Sequence, residues 1–367
     1  VTVIDRQGVA EKEASSNPAP IIYPRLSVDN DIDTEFFTAA YCHALYVFKK
    51  LQGRTQRRFW YDDGLLQLID ENRVKQIINK FDLNEEFISV VDDMAAGLAV
   101  AKKEGQVMVS YASAGVLFPS LLYESLKDEC GDDLDFIDAE VTSINHIENN
   151  WQCLSDNELI SEAETLIIAN GAGINDVGLP LSYPLETIRG QVMIVDENTV
   201  SRNIRKTLNA EVHITPSING KHYLGATYAR GCDRFDVCEE DNEKLLGSLA
   251  KLYPDVFSEE IESKTWLGFR TVAKDRVAIV GAVPDASFYE KEYADIRHGN
   301  TAKKYRSARH LDGLYISAAY GSRGFTSSFL SAEIIAAQIA GEPSPVSRRV
   351  LDYLNPSRFI VNDLKRG

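Results

Sequence analysis

The apolar residues change their spacing several times along the chain, and each change predicts an element. Val1-Thr2-Val3-Ile4-Asp5 is a β-branched run that ends in an acid, which predicts a strand covered on both faces. From about 34 to 100 the spacing is three and four. Phe36, Phe37, Ala40, Tyr41, Ala44 and Leu45 share one helical face, and Leu65-Leu66, Leu68-Ile69 and Ile77-Ile78 extend the helical pattern. A further helix is expected over 117–130, closed by Gly131. Residues 136–147 and 151–154 predict a strand pair joined at Asn149-Asn150.

Thr165-Leu166-Ile167-Ile168 is a short apolar strand that runs into Asn170-Gly171-Ala172-Gly173, as a parallel strand does where it ends at a ligand crevice. Residues 188–229 alternate and carry Gly and Asn turns, which predicts an antiparallel sheet. Val277–Val280 predicts a strand that stops at Gly281. Leu314–Ala318 predicts another, followed by Gly321-Ser322-Arg323-Gly324-Phe325-Thr326 and a helix over 331–339 stopped by Gly341 and Pro343. Strand, glycine turn and helix in that order bring backbone N–H groups and a helix N-terminus to one point, which favours an anion or an electron-rich ring oxygen. The fold class is α/β.

Asp5, at a strand end, is where a dinucleotide fold places the acid for the ribose hydroxyls; a surface turn is the other reading. The glycine motif of such a fold lies roughly 20 residues before that acid. A chain that opens in mid-strand without Met therefore predicts an upstream strand and glycine-rich turn. Residues 1–367 alone are expected to hold a dinucleotide cofactor weakly or not at all.

Length and composition narrow the class. With 367 residues and 44% hydrophobic content, two packed domains are expected. No run reaches the roughly 18 apolar residues of a membrane span and no cleavable leader opens the chain, so an intracellular, cytoplasmic protein is expected. Five scattered cysteines without a C-x-x-C pair predict reduced, buried thiols, and six unclustered histidines predict no metal site. No hydrolytic triad emerges. A net charge of −16 opposes non-specific nucleic-acid binding. Two basic groups, Arg54, Arg57 and Arg58, and Lys303, Lys304, Arg306 and Arg309, are either RNA contacts or solvated faces.

Several motifs in order carry a family resemblance: A-S-S-N-P-A-P-I-I-Y-P at 14–24, S-A-G-V-L-F-P at 113–119, T-L-I-I-A-N-G at 165–171 and R-G-Q-V at 189–192. L-G-A-T-Y-A-R-G at 224–231, Gly268-Phe269-Arg270, V-G-A-V-P-D at 280–285, A-A-Y-G-S-R-G-F-T at 318–326 and L-N-P-S-R-F at 354–359 continue it. Along nearly its whole length the chain resembles the C-terminal FAD-dependent domain of the MnmC family, bifunctional proteins of tRNA 5-methylaminomethyl-2-thiouridine biosynthesis, within the broader glycine, sarcosine and D-amino-acid oxidase group. Pro18 and Ala19 stand where relatives tend to carry a basic residue and Gln, and Arg189 occupies a variable position.

The resemblance implies FAD as cofactor and tRNA as partner. The implied reaction is oxidative removal of the carboxymethyl group from 5-carboxymethylaminomethyl(-2-thio)uridine at the wobble position, which leaves the 5-aminomethyl form. It also implies an N-terminal S-adenosylmethionine-dependent methyltransferase domain as partner, and no membrane or metal. The implied architecture is a Rossmann-type FAD-binding domain (1–30, 105–185 and 270–367) with an inserted α+β substrate domain (31–104 and 186–269) that contains an antiparallel sheet. Asp5 corresponds to the ribose partner, Ser15, Ser16, Asn17, Ile21 and Ile22 to the loop under the flavin, Val141 to a backbone contact on the adenine side, and Gly171 to the nucleotide crevice. Gly321, Ser322, Arg323, Gly324, Phe325 and Thr326 correspond to the turn facing the isoalloxazine. Arg270 corresponds to the substrate-carboxylate residue, Arg323 places a charge near the flavin or substrate, and Tyr228 is either a substrate-pocket hydroxyl or a strand aromatic of the core. Two other functions stay open: a free-standing oxidase of small secondary amines or amino acids, and a non-catalytic tRNA- or methyltransferase-docking module.

Overall fold

A run of branched apolar residues that stops at glycine builds a buried parallel strand, and two such runs pair here. Leu166–Ile168 lies parallel to His310–Ala318, in the register Leu166↔Leu314 to Ile168↔Ile316, and Ile279–Pro284 pairs antiparallel on the other side. The computed structural model, which describes residues 1–6, 13–29, 31–92, 94–254, 256–257, 263–299 and 303–366, divides into two compact units. These strands belong to unit 1, formed by Val1–Val9, Asp132–Thr187 and Arg270–Gly367; unit 2 is Ala10–Gly131 and Ile188–Phe269. Segments 10–30 and 105–131, which the sequence reading groups with the flavin domain, are in unit 2 because Ile21–Ile22 pairs with Gly115–Leu117, which in turn pairs with Trp60–Tyr61.

Unit 1 also holds a parallel pair, Thr2–Asp5 with Asp135–Asp138, and an antiparallel sheet of Ser143–Ile147, Asn150–Ser155 and Glu158–Ala163. Ile144, Trp151, Ile168, Leu314 and Ile316 share its main core, and the Trp151 indole N–H donates to the Asp312 carbonyl at 2.8 Å. The expected single strand over 136–147 is thus two strands with different partners. The hairpin turn between Ser143–Ile147 and Asn150–Ser155 uses Glu148 and Asn149 at φ 49° and 71°, conformations Asn tolerates. The opening strand is not covered on both faces. Only Ile4 of Thr2–Asp5 is half-buried, and among the described residues the strand's one sheet partner is Asp135–Asp138. Ile279–Pro284 runs through Gly281, which pairs with Ile316 at φ +125° rather than ending the strand. The last long helix starts at Gly324, earlier than expected, and ends at Ala340, capped by Gly341 at φ +68°.

Unit 2 combines the 25-residue helix Asp31–Thr55 with a mixed nine-stranded sheet. The helical pattern fails at Leu65–Asp70, which is a strand paired residue by residue with Gln106–Tyr111. Its apolar positions suit either period, and tertiary pairing decides. Asp70 then caps the helix Glu71–Phe81 by accepting from the Arg73 N–H at 3.0 Å. Leu66, Met108, Val195, Leu208, Leu224 and Leu249 lie in one core that joins the sheet to helix Glu239–Leu252. Of the five cysteines only Cys153 is buried, contrary to expectation; Cys42 and Cys130 sit on exposed helical faces. No helix among the described residues is long and apolar enough to cross a membrane.

Candidate functional site

The parallel register fixes where unit 1 exposes backbone. Leu166–Ile168 and His310–Ala318 point the same way, so the turns at Asn170-Gly171 and Tyr320-Gly321 leave from the same sheet edge, the carboxyl end where open α/β sheets bind ligands. Both glycines lie in the left-handed region, at φ +61° for Gly171 and +58° for Gly321. The strand Ser263–Ala273 contributes its last residues to this edge: Thr271 Oγ1 lies 3.7 Å from where a Cβ on Gly171 would stand, and Val272 Cγ1 2.8 Å from a Cβ on Gly321. A side chain at 321 has no room. Arg270, half-buried, shares the strand face of Val272 by the two-residue period, and a bridge links Val272 to Tyr320.

The second turn is strained as well as close. Ala319, a residue with a Cβ, sits at φ +62°, immediately before a strand-to-helix turn. Gly321–Arg323 forms one 3-10 turn and Gly324–Ala340 the helix behind it, with Arg323 at the N-cap position and its carbonyl accepting from the Ser327 hydroxyl at 2.7 Å. Ser322 is exposed, Phe325 half-buried and Thr326 buried at the helix start. Burial raises the Tyr320 phenol above its ordinary pKa, partly offset by its 2.6 Å hydrogen bond with Ser317. Gly324 needs no special space, because a Cβ there would meet only ordinary contacts.

A second parallel pair carries Asp5 and leads toward Val141. Asp5↔Asp138 closes the Thr2–Asp5 pair, Asp5 is exposed at its carboxyl end, and Val141 follows three residues beyond Asp138, packed on the core of unit 1 as Ile4 is. Open backbone at parallel strand ends, an acid at one of them and a helix N-terminus behind another make a donor set that fits a dinucleotide.

In unit 2, Ser15 and Ser16 form one turn of 3-10 helix held from two directions. The Tyr123 hydroxyl donates to the Ser15 carbonyl at 2.9 Å and the Trp266 indole N–H to Ser16 Oγ at 3.0 Å. The Asn17 side chain accepts from the Ala19 N–H at 3.1 Å, which shapes the backbone through Pro18. Ile22 is 2% exposed and Ile21 half-buried, so both side chains serve the core and only their backbone is available to a ligand. Burial lifts the Tyr123 phenol to about 12, keeping it a donor. Sequence reasoning missed Tyr123 and Trp266; the indole in the W-L-G-F-R run, with its single N–H needing a partner, was the available signal. Tyr228 is 53% exposed beside an edge strand, with the Arg230 guanidinium 5.8 Å from its ring centre, so it is not a core aromatic.

The basic groups are largely neutralised. Arg54 pairs with Glu129, Arg57 with Asp128 and Glu124, and Arg58 approaches Asp63; Lys303 pairs with Asp295 and Arg306 with Glu292. Among the described residues no group of three His, Cys, Asp or Glu is placed to hold a metal.

Fold and site therefore define a nucleotide-dependent α/β protein with an antiparallel-sheet unit. More particularly, the chain belongs to the FAD-dependent oxidoreductase family, whose sequence signature matches residues 1–338, and its cofactor is FAD. It is similar to the tRNA 5-methylaminomethyl-2-thiouridine biosynthesis bifunctional protein MnmC of Leptospira interrogans, 30% identical over 389 aligned residues that take in 100% of this chain and 58% of that protein. The protein of the same name from Pseudomonas savastanoi is 26% identical over 382 residues, 100% of this chain and 56% of its own length. The chain thus spans a little over half the length of these curated relatives. Among solved structures, glycine oxidase from Geobacillus kaustophilus superposes with a TM-score of 0.76 at 16% identity, covering 98% of this chain and 92% of that one. Iminodiacetate oxidase from Chelativorans gives 0.75 at 18%, covering 97% and 92%. These likenesses show the fold: a Rossmann-type α/β part joined to an α+β part with an antiparallel sheet.

Proposed function

We propose that this chain oxidises the carboxymethylaminomethyl group of a tRNA wobble uridine, 5-carboxymethylaminomethyl(-2-thio)uridine, and releases the 5-aminomethyl form. The observation that carries the reading is similarity over the whole chain to relatives named for tRNA 5-methylaminomethyl-2-thiouridine biosynthesis. FAD, when bound, supplies the two-electron oxidation of a carbon beside nitrogen. The bond between the methylene carbon of the carboxymethyl group and nitrogen becomes a C=N bond, water adds to it, and the C–N bond breaks to give glyoxylate and the primary amine. That amine is the group whose methylation from S-adenosylmethionine yields the methylaminomethyl product in the relatives' name, a step assigned to a partner methyltransferase domain. The substrate places the reaction in the cytoplasm.

In this reading most of the residues that hold FAD belong to unit 1. Asp5 accepts the ribose hydroxyls, the backbone at Val141 and Gly171 borders the adenosine half, and the Gly321–Thr326 turn donates N–H groups to the flavin ring. Ser15, Ser16, Asn17, Ile21 and Ile22 present backbone beneath that ring, and Tyr228 offers a substrate hydroxyl. Arg270 donates bidentately to the substrate carboxylate, and Arg323 sets a fixed positive charge at the turn. The test is mass analysis of tRNA nucleosides after incubation with the flavin-loaded protein. Conversion of the carboxymethylaminomethyl nucleoside to the aminomethyl one, with one glyoxylate per event, is expected; unaltered tRNA beside rapid oxidation of sarcosine or glycine refutes the assignment.

A further inference from the structure

The fold forgoes burying one large aromatic and instead fixes it outward. Phe235 is 82% exposed, on the loop between the edge strand Ala229–Arg230 and helix Glu239–Leu252. Covering such a side chain would be favourable, yet the loop that displays it is held in place by buried polar side chains. Arg189, 1% exposed, donates to the carbonyls on both sides of the phenylalanine: Nε to Arg234 O at 3.0 Å and an amino group to Asp236 O at 2.6 Å. Its other amino group pairs with Asp241 at 2.9 Å. Gln191, fully buried, accepts from the Cys238 N–H at 2.7 Å and donates to the Cys238 carbonyl at 3.0 Å. A buried guanidinium and a buried amide therefore clamp residues 234–238 from beneath. On the surface, Phe235 rests against Phe269 at a centroid distance of 4.8 Å, and the half-exposed Tyr228, with the Arg230 guanidinium 5.8 Å from its ring centre, immediately precedes the strand Ala229–Arg230 that leads into the loop.

The chemistry selects the occupant. An aromatic covers at most about 150–250 Å², so two exposed rings fall well short of the roughly 800 Å² per partner of a stable protein interface. The exposed Asp233, Arg234, Asp236, Glu239 and Glu240 border the patch with charge, and Arg234 and Asp236 neutralise each other at 2.6 Å. Those carboxylates repel phosphate, so a nucleic acid would present base faces here rather than its backbone. A flat, preorganised ring with an arginine nearby is the means by which proteins hold unstacked bases of single-stranded RNA.

We propose that Phe235, backed by Phe269, stacks an unpaired base that neighbours the modified uridine in the tRNA substrate. This rests on the tRNA reading above and adds a recognition element to it. The experiment uses the flavin-loaded protein and an anticodon stem–loop RNA with 2-aminopurine beside the wobble position. The wild-type protein is expected to quench the probe on binding. Phe235→Ala should weaken binding about 5- to 150-fold, the value of one base stack, and raise KM for tRNA without lowering kcat. Phe235→Trp should restore both, and turnover of the free modified nucleoside should stay unchanged in all three proteins. Wild-type affinity and KM in Phe235→Ala overturn the stacking assignment while leaving the tRNA reading intact. An equal loss with the free nucleoside overturns it too, since the ring then belongs to the reacting group's pocket. Failure of the wild-type protein to bind or oxidise any tRNA removes the reading itself. Loss of self-association in Phe235→Ala with RNA binding unchanged assigns the ring to a protein contact and refutes the proposal.

Discussion

Gly321→Ala is the substitution whose cost follows most directly from the geometry. Two penalties act at one atom. At φ +58° an alanine Cβ crowds the following carbonyl, a cost of about 1–2 kcal/mol. The same Cβ would stand 2.8 Å from Val272 Cγ1, far inside the roughly 3.5–4.0 Å optimum for two carbons, and overpacking of this kind costs about 1–3 kcal/mol. The sum is about 2–5 kcal/mol. At about 2–4 °C per kcal/mol for a domain of this size, thermal unfolding of the flavin-free protein should fall by at least about 4 °C. Val272→Ala removes the offending methyl while leaving the backbone angle alone. In the double variant Gly321→Ala/Val272→Ala the packing share should return and only the backbone share persist. A double-mutant cycle read by calorimetry measures this coupling. Unchanged stability in Gly321→Ala, or no relief from Val272→Ala, refutes the close approach of the turn to the strand Ser263–Ala273, and with it the placement of Arg270 at that edge.

Other consequences are testable on the same protein. Arg270→Ala should lower kcat/KM for carboxymethylaminomethyl tRNA about 30-fold or more, the equivalent of roughly 2–5 kcal/mol for an unpaired buried charge, with the flavin spectrum intact; Arg323→Ala should instead shift the spectrum, and steady-state kinetics beside absorbance spectra separate the two roles. Arg189→Met leaves Asp241, a carboxylate with 12% of its side chain exposed, with the more exposed Lys244 at 3.3 Å in place of the buried guanidinium, and should cost up to about 3 kcal/mol in urea unfolding, whereas Arg189→Met/Asp241→Leu should recover part of that loss. His222 donates through Nδ1 to the Thr215 carbonyl and accepts through Nε2 from the Ser201 hydroxyl, both at 2.9 Å. Burial depresses its pKa, against the opposing influence of Thr215 and Glu197. The unfolded chain therefore takes up this proton first: stability is full above about pH 6.5 and declines as pH falls toward the folded-state value. His222→Gln should flatten that acid limb in unfolding free energies measured between about pH 5 and 8.

Two strand ends of unit 1 were legible because their signals are local. The apolar runs at Leu166–Ile168 and Leu314–Ala318 stop just before turns that hold Gly171 and Gly321, and both glycines adopt the left-handed angles that favour glycine, whereas the strand Ile279–Pro284 continues through Gly281. What escaped depends on distant partners. Leu65–Asp70 carries apolar residues that suit either period, and only its pairing with Gln106–Tyr111 makes it a strand. The first five residues have the composition of a covered strand, yet only Ile4 of Thr2–Asp5 is half-buried, and which layer packs on a strand's faces is not written in its own residues. The clamp beneath Phe235 joins residues 45 to 52 positions apart in sequence, so R-G-Q-V alone says nothing of its partners. Tyr123 and Trp266, which hold Ser15 and Ser16, were hidden for the same reason.

The proposed reaction makes one demand that no small-amine oxidase shares: the flavin must be reduced by tRNA. Anaerobic mixing of the flavin-loaded protein with tRNA that carries 5-carboxymethylaminomethyluridine, followed through the absorbance of the oxidised flavin, reads this step without any coupled chemistry. The account predicts rapid bleaching by that tRNA, none by tRNA carrying the aminomethyl form, and at most slow bleaching by sarcosine or glycine. Prompt bleaching by sarcosine or glycine with an inert tRNA would contradict it.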